Sequence, residues 1–380
     1  MDIVSILAGE LGRDPQHIQN VIALLDEGNT IPFIARYRKE LHGSMDDTSL
    51  RALETRLGYL RSLDERRQTV ENAIEAQGKL TDELKEALAQ CVTLAELEDL
   101  YRPYKQKRRT RATVAKEKGL EPLALLLFAQ SPDCPAPEIA AAAYIDPEKG
   151  VNTIEEALAG ASDIIAEIIS DDADLRKALR HLVHDRGSLR AEAASEEDSV
   201  YALYYDFTRP VEKLQGYQIL AINRGEKEKF LKVSVLLDAE TALRAVRRSA
   251  VKPGSAASDF VAAAGADAYD RLIFPSIERE LRSDLTDRAC DGAIGQFALN
   301  LRPLLMQPPV KGKVTMGLDP GYRMGCKVAV VDATGKVLDT AVVYPTYGPR
   351  QKDEAIALLS RLVRRHRVEH IAIGNGTASR

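Results

Sequence analysis

Val314-Thr315-Met316-Gly317-Leu318-Asp319-Pro320-Gly321-Tyr322-Arg323-Met324-Gly325-Cys326-Lys327 is the stretch that decides the class of the C-terminal part of this chain. Val314 to Asp319 is short and has few polar side chains, which reads as a strand ending on an acid. A glycine turn follows, and Lys327 to Val331 is a second strand. Ala333-Thr334-Gly335 turns it into a third, Val337 to Tyr344. The spacing then predicts a helix over 353–365, with Ala355, Ile356, Leu358, Leu359 and Leu362 as its buried stripe. His370 to Ile373 is a fourth strand, leading into Gly374-Asn375-Gly376-Thr377.

Three meandering strands, a helix and a returning strand form the opening half of an RNase H-like fold. Such a fold needs a fifth strand and covering helices. None of the residues to 380 remain to make them, so the chain is expected to be a fragment, whether 380 is a natural end or a truncation. Its last strand would then be an unprotected edge.

Upstream the period is helical. Leu50, Leu53, Leu57, Leu60, Val70 and Ile74 keep one helix face apolar, and Gly78 is the expected stop. Ile154, Ala157, Leu158, Ala161, Ile164 and Ile165 repeat the pattern. Thr93 with Glu96, and Thr153 with Glu156, predict capping boxes in which the hydroxyl takes one amide and the carboxylate reaches back to the cap. Tyr217, Ile219 and Ala221 alternate, as do Leu231, Val233 and Val235, which predicts a β-hairpin with Asn223-Arg224-Gly225-Glu226 at its tip. Helix is expected again from 239, with a break at Pro253-Gly254, a restart near 258 and a long helix over 276–305. Gln307-Pro308-Pro309 reads as a linker. The expected organisation is therefore mainly α: a helical region over 1–200, a hairpin and further helices over 201–310, and the first half of an α/β domain over 314–380.

The 380 residues are 45% hydrophobic and 29% charged, the balance of a folded soluble protein. The net charge of −5 does not announce a nucleic-acid binder, so the distribution of cations matters more than their sum. Cys91, Cys134, Cys290 and Cys326 have no metal-knuckle spacing and read as free thiols. The N-terminus lacks a basic leader, and the most apolar run, Leu123 to Phe128, is far too short to span a bilayer. A cytoplasmic protein without a membrane partner is expected.

Three stretches could carry chemistry. Tyr101-Arg102-Pro103-Tyr104-Lys105-Gln106-Lys107-Arg108-Arg109-Thr110-Arg111 has no acid, and Arg102, Lys105, Lys107, Arg108, Arg109 and Arg111 are candidate phosphate ligands. Its tyrosines could stack on bases, and Lys116 and Lys118 extend it. The competing reading is an interdomain strap whose arginines pair with acids elsewhere. Arg36, Arg38 and Lys39 follow the Gly28 and Pro32 loop and could touch phosphate or serve as structural ion-pair partners. Asp319 suits two chemistries: a Mg²⁺ ligand in an RNase H-like nuclease, or a turn cradling nucleotide phosphate. Two-metal chemistry needs another carboxylate near the end of the fourth strand, where this chain has Asn375, an amide that brings no charge to a divalent cation. Asp319 is therefore a weak catalytic candidate, and no metal and no cofactor are expected. His181 and His184 lack a third ligand and read as surface residues.

Leu25 to Glu40, Arg108 to Ala124, Ala221 to Glu226 and Gly317 to Lys327 together resemble one family, in the same order along the chain. The resemblance is to the bacterial Tex transcription accessory proteins. It implies an N-terminal helical region with helix-turn-helix-like elements, then a YqgF or RNase H-like domain, with helix-hairpin-helix and S1 domains to follow; the latter two are missing from these residues. It also implies RNA and DNA binding and a link to transcription, and it does not firmly imply an enzymatic activity; RNA polymerase or ribosome-associated factors are expected as protein partners. The leading expectation is a non-catalytic nucleic-acid-binding accessory of transcription. The alternatives are a metal-dependent nuclease using Asp319 and a protein-interaction scaffold.

Overall fold

The computed structural model describes residues 2–105, 109–195, 197–308 and 310–375. The chain divides into two compact units, Met1–Ala293 and Ile294–Arg380.

The first unit begins with α1 (Ile3–Leu11), α2 (Pro15–Asp26), α3 (Ile31–Tyr37) and the long α4 (Asp47–Glu75). Asp46 caps α4 by accepting the Ser49 amide at 2.7 Å. The leucine stripe predicted for this helix is buried, but it serves two cores. Leu50, Leu53, Leu57 and Leu60 pack with Leu7, Ile18, Val21 and Ile34. Leu63, Val70 and Ile74 pack instead with Leu88 of α5 (Asp82–Gln90) and Leu97 of α6 (Leu94–Tyr101). Arg67 is buried between them and closes the end of α5, donating to the Leu88 carbonyl at 2.8 Å and the Cys91 carbonyl at 2.9 Å.

The third and largest core runs from Ala112 to Ala289. It gathers α7 (Arg111–Glu117), α8 (Glu121–Ala129), α9 (Pro137–Ala142), α10 (Ile154–Ser170) and α11 (Ala173–Arg186). A small sheet of β1 (Ser188–Ala193), β2 (Asp206–Pro210) and β3 (Leu231–Leu236) joins them, with α12 (Gly216–Lys227), α13 (Ala239–Ala250), α14 (Ser258–Asp267) and α15 (Phe274–Leu305). A π-helical turn, Ala268–Ile273, connects α14 to α15 without a break. Both predicted capping hydroxyls accept their N3 amides at 3.2 Å. The return bonds, however, land one residue before the cap, from Val92 to Glu96 and from Asn152 to Glu156.

The predicted hairpin does not form. Tyr217, Ile219 and Ala221 lie on helix α12, because Ile219, Ile222 and Gly225 at helical spacing face the core. Gln215 and Gln218 close its N-terminus as a capping box. β3 pairs instead with β1, in the antiparallel order β2-β1-β3. Its outer edge is closed by Glu278 of α15, which accepts the Val235 amide at 2.8 Å. The supposed hairpin tip is a clamp between helices: Asn223 donates to Thr286 at 2.8 Å, and Glu226 takes a two-pronged bond from Arg282. Gly225 lets α12 approach the neighbouring side chains, since a Cβ there would lie 2.7 Å from Leu231 Cδ1 and 3.1 Å from Tyr201 Cγ.

A buried charge network ties α6, α11 and α15 together. Arg176 is 1% exposed and Asp99 4%. Arg176 Nε donates to Asp99 at 2.7 Å, and its Nη2 donates to the Ser276 hydroxyl at 3.0 Å. Arg180 bonds the second oxygen of Asp99 at 2.7 Å and Glu280 at 2.5 Å.

The second unit contains β4 (Thr315–Asp319), β5 (Cys326–Val331), β6 (Val337–Val343), α16 (Pro349–His366) and β7 (His370–Ile373). The sheet order is β6-β5-β4-β7, with β7 parallel to β4. Met316, Val328, Val330 and Val343 pack against Ala355 and Leu362 of α16. Ile356 is 54% exposed rather than part of the stripe; Val363 packs there instead. Among the described residues no helix is long and apolar enough to cross a membrane.

Two stability outcomes follow. Asp99→Ala strands a buried guanidinium and should cost about 3–5 kcal/mol in urea unfolding. Arg176→Met, which leaves Asp99 bonded to Arg180, should cost clearly less; the reverse order would contradict the network's assignment to Asp99. Gly225→Ala should destabilise by about 1–3 kcal/mol through overpacking against Leu231 and Tyr201, and an unchanged urea midpoint would show that α12 yields without strain.

Candidate nucleic-acid interface

The basic segment begins where α6 ends. Arg102–Tyr104 forms one 3₁₀ turn, and Arg102 is half-buried. Its Nη2 lies 3.5 Å from the Ser276 hydroxyl that Arg176 also engages. Burial, and then the Arg176 guanidinium, hold Arg102 below its usual basicity. Arg102 therefore anchors the segment rather than displaying its charge.

The cations beyond it are displayed, and they find partners outside the segment. Lys105 lies 3.6 Å from Glu98, Arg109 3.3 Å from Glu117 and Lys116 3.1 Å from Glu121. Lys118 donates to the Gly150 carbonyl at 2.8 Å. Arg111 is the exposed first residue of α7. Lys107 and Arg108 lie outside the described residues. Arg109 is 73% exposed in its side chain, and an exposed pair of this kind contributes only about 0–1 kcal/mol. A phosphate can displace such a carboxylate at little cost. Lys105 and Lys116 also border a cavity of about 470 Å³ with Thr113, Glu167 and Asp171, so that wall is of mixed sign.

Arg36 and Arg38 sit at the end of α3, away from this segment. α3 packs on the first half of α4, whereas Gln77, beyond the end of α4, donates to the Tyr104 carbonyl at 2.9 Å. The helical rise separates the two places by roughly 30 Å along α4. The structure therefore gives two cationic places on the first unit, not one patch.

In the second unit Asp319 ends β4, exposed, with Lys327 as its cross-strand neighbour. The Gly374 amide donates to the Leu318 carbonyl at 2.8 Å, which brings the turn after β7 beside the turn after β4. A cavity of about 900 Å³ lies on the sheet here, lined by Gly317, Asp319, Lys327, Ala329, Thr340 and Ala372 among others. Among the described residues Asp319 is the single acid lining it. Burial, then the Asp319 carboxylate, push the neighbouring Cys326 thiol up. Among the described residues no group of three His, Cys, Asp or Glu side chains could hold a metal. Among the described residues the single carboxylate Asp319, with the amide Asn375 near the adjoining strand end, is too small a donor set for a two-metal centre.

Residues 1–75 match the Tex-like protein N-terminal domain, 133–297 the Tex central region and 313–380 the Tex protein YqgF-like domain. The chain is 45% identical to the protein YdcI of Bacillus subtilis (strain 168), over 98% of this chain and 53% of that protein. It is 40% identical to the Transcriptional accessory protein Tex of Neisseria gonorrhoeae, over 100% of this chain and 50% of that protein. It is 33% identical to the human S1 RNA-binding domain-containing protein 1, over 100% of this chain and 39% of that protein. The chain thus spans about half the length, or less, of these relatives.

Proposed function

The chain belongs to the Tex protein family, and from that premise we propose that it is a cytoplasmic nucleic-acid-binding accessory of transcription that grips phosphates without reading sequence and does no chemistry on them. The observation that carries this reading is the run of exposed cations after Arg102, held by weak pairs that a polyanion can displace. The accessory role named for the gonococcal relative, and the RNA-binding domain named for the human one, agree with it. RNA or DNA is the partner, with RNA polymerase or a ribosome-associated factor as the protein it accompanies. Lys105, Lys107, Arg108, Arg109 and Arg111 supply the backbone contacts, and Arg102 fixes where they start.

The donor set favours the non-catalytic reading of Asp319. Among the described residues Asp319 has the lysine Lys327 as its cross-strand partner, and Asn375 supplies no second carboxylate.

Fluorescence polarisation with labelled single-stranded RNA and duplex DNA at two salt concentrations tests the binding. Affinity should fall steeply with salt for both. Changing Arg108, Arg109 and Arg111 together to alanine should flatten the slope of log K against log salt by about 3 if each holds one phosphate. Unchanged affinity and slope would remove the segment from the interface. With Mg²⁺ supplied, neither single-stranded nor branched DNA should be cleaved; cleavage abolished by Asp319→Asn would establish the nuclease instead.

A further inference from the structure

α4 carries five arginines, and every one meets a carboxylate: Arg51 with Asp47, Arg56 with Glu10, Arg61 with Asp26, Arg66 with Glu98 and Arg67 with Asp64. The first part of the chain therefore neutralises its guanidiniums systematically. The end of α3 is the exception. Among the described residues no carboxylate lies within ion-pairing distance of Arg36, Arg38 or Lys39. Glu40 follows them in sequence, which leaves the short run 36–40 with a surplus of two positive charges.

The two arginines lie on aromatic rings instead. The Arg38 guanidinium carbon is 5.1 Å from the centre of Phe33. Phe33 meets Tyr37 at 5.2 Å between centres. The Arg36 guanidinium carbon is 5.9 Å from the centre of Tyr37. The result is a ladder of contacts, with Arg38 over Phe33, Arg36 over Tyr37, and Phe33 meeting Tyr37 at a 48° tilt rather than stacked face to face on it. Tyr37 is nevertheless 56% exposed, an unusual state for a large aromatic side chain that has apolar neighbours to pack against.

The ladder is held from beneath. Ile31 and Ile34 of α3 are buried. The loop after Tyr37 folds back on the helix end, with the amides of Leu41 and His42 both bonding the Arg38 carbonyl. Asn20 of α2 pins that loop by donating to the Leu41 carbonyl at 3.0 Å. An exposed ring flanked by cations, at a helix end held by a pinned loop, needs little further ordering to bind.

We propose that the end of α3 is a stacking platform for single-stranded nucleic acid, with Tyr37 taking an unpaired base and Arg36, Arg38 and Lys39 the flanking phosphates. The proposal rests on the nucleic-acid-binding reading above and adds a second, distinct site with a strand preference. A duplex keeps its base faces covered, so Tyr37 has nothing to stack on there; a single strand exposes them. Stacking of this kind tolerates any base, in keeping with sequence-independent binding.

The chain has no tryptophan, so Tyr37→Trp installs a sole indole reporter. With fluorescein-labelled oligouridylate and a DNA duplex of equal length as probes for polarisation, and the unlabelled oligouridylate for indole emission, the full chain should give three results. Oligouridylate should quench the indole of Tyr37→Trp. Tyr37→Ala should bind oligouridylate about tenfold more weakly while its duplex affinity changes little. Tyr37→Phe should restore oligouridylate binding. Circular dichroism and urea midpoints matching the wild type would show that Tyr37→Ala remains folded. Oligouridylate binding by polarisation with no quenching and no loss in Tyr37→Ala would overturn the platform and leave the phosphate-gripping segment standing. Absence of binding to either probe by the wild type would overturn both.

Discussion

The carboxylate of Asp99 is the constraint on which the arrangement of the first unit turns. It sits among three arginines, bonded to two of them, where a charge without partners would be intolerable. Arg176, Arg180, Ser276 and Glu280 must all hold their places for that burial to be sustained, and they come from two further helices. The network does not add much net stability over an apolar core of the same volume. Its effect is directional, because an ion pair at 2.7 Å permits one register of α6 against α11 where leucines would permit several. Arg102 inherits this geometry. It follows α6 directly, shares the Ser276 hydroxyl, and so fixes the point from which the basic segment departs.

Elements bounded by local signals were legible from sequence. The four strands of the second unit lie within a residue of their predicted limits, since each is short and followed closely by glycine, proline or an acid, and α16 is legible from its apolar stripe. The stripe of α4 is legible in the same way, from its helical spacing. What failed depended on neighbours distant in sequence. Tyr217, Ile219 and Ala221 fit a two-residue period as well as part of a helical one, and the tie is broken by Tyr201 and Thr286, which lie outside that window. β1 was missed because its partners, β2 and β3, lie on either side of an intervening helix. The placement of Arg102 is hidden likewise, because it meets a serine far along the chain, whereas Glu98, Glu117 and Glu121 lie within eight residues of the cations they pair with.

The candidate sites divide in the same way. Asp319 was placed correctly at a strand end, and the scarcity of carboxylates around it was already visible in Asn375. Lys327 as its neighbour was not, because cross-strand register has to be known before a lysine eight residues later can be set beside it. Arg51 and Arg67 pair with acids one turn away on α4 itself, a spacing visible in the sequence, whereas the pairing of Arg56, Arg61 and Arg66 depends on the positions of Glu10, Asp26 and Glu98.

The chain's acidic total does not work against polyanion binding once these pairings are known. With 57 acids against 52 bases, a uniform charge distribution would repel phosphate weakly everywhere. Screening removes most of that repulsion, since the Debye length is about 8 Å at physiological ionic strength. A bound phosphate therefore senses its immediate neighbours and little else. Many acids are occupied with arginines of the same helical scaffold, at Asp99, Glu10, Asp26 and Glu280. Pairing of that kind leaves short stretches of uncompensated positive charge at the end of α3 and weakly compensated charge after Arg102. Overall charge then governs how fast a strand is drawn in from a distance, while the local inventory of partners decides where it comes to rest.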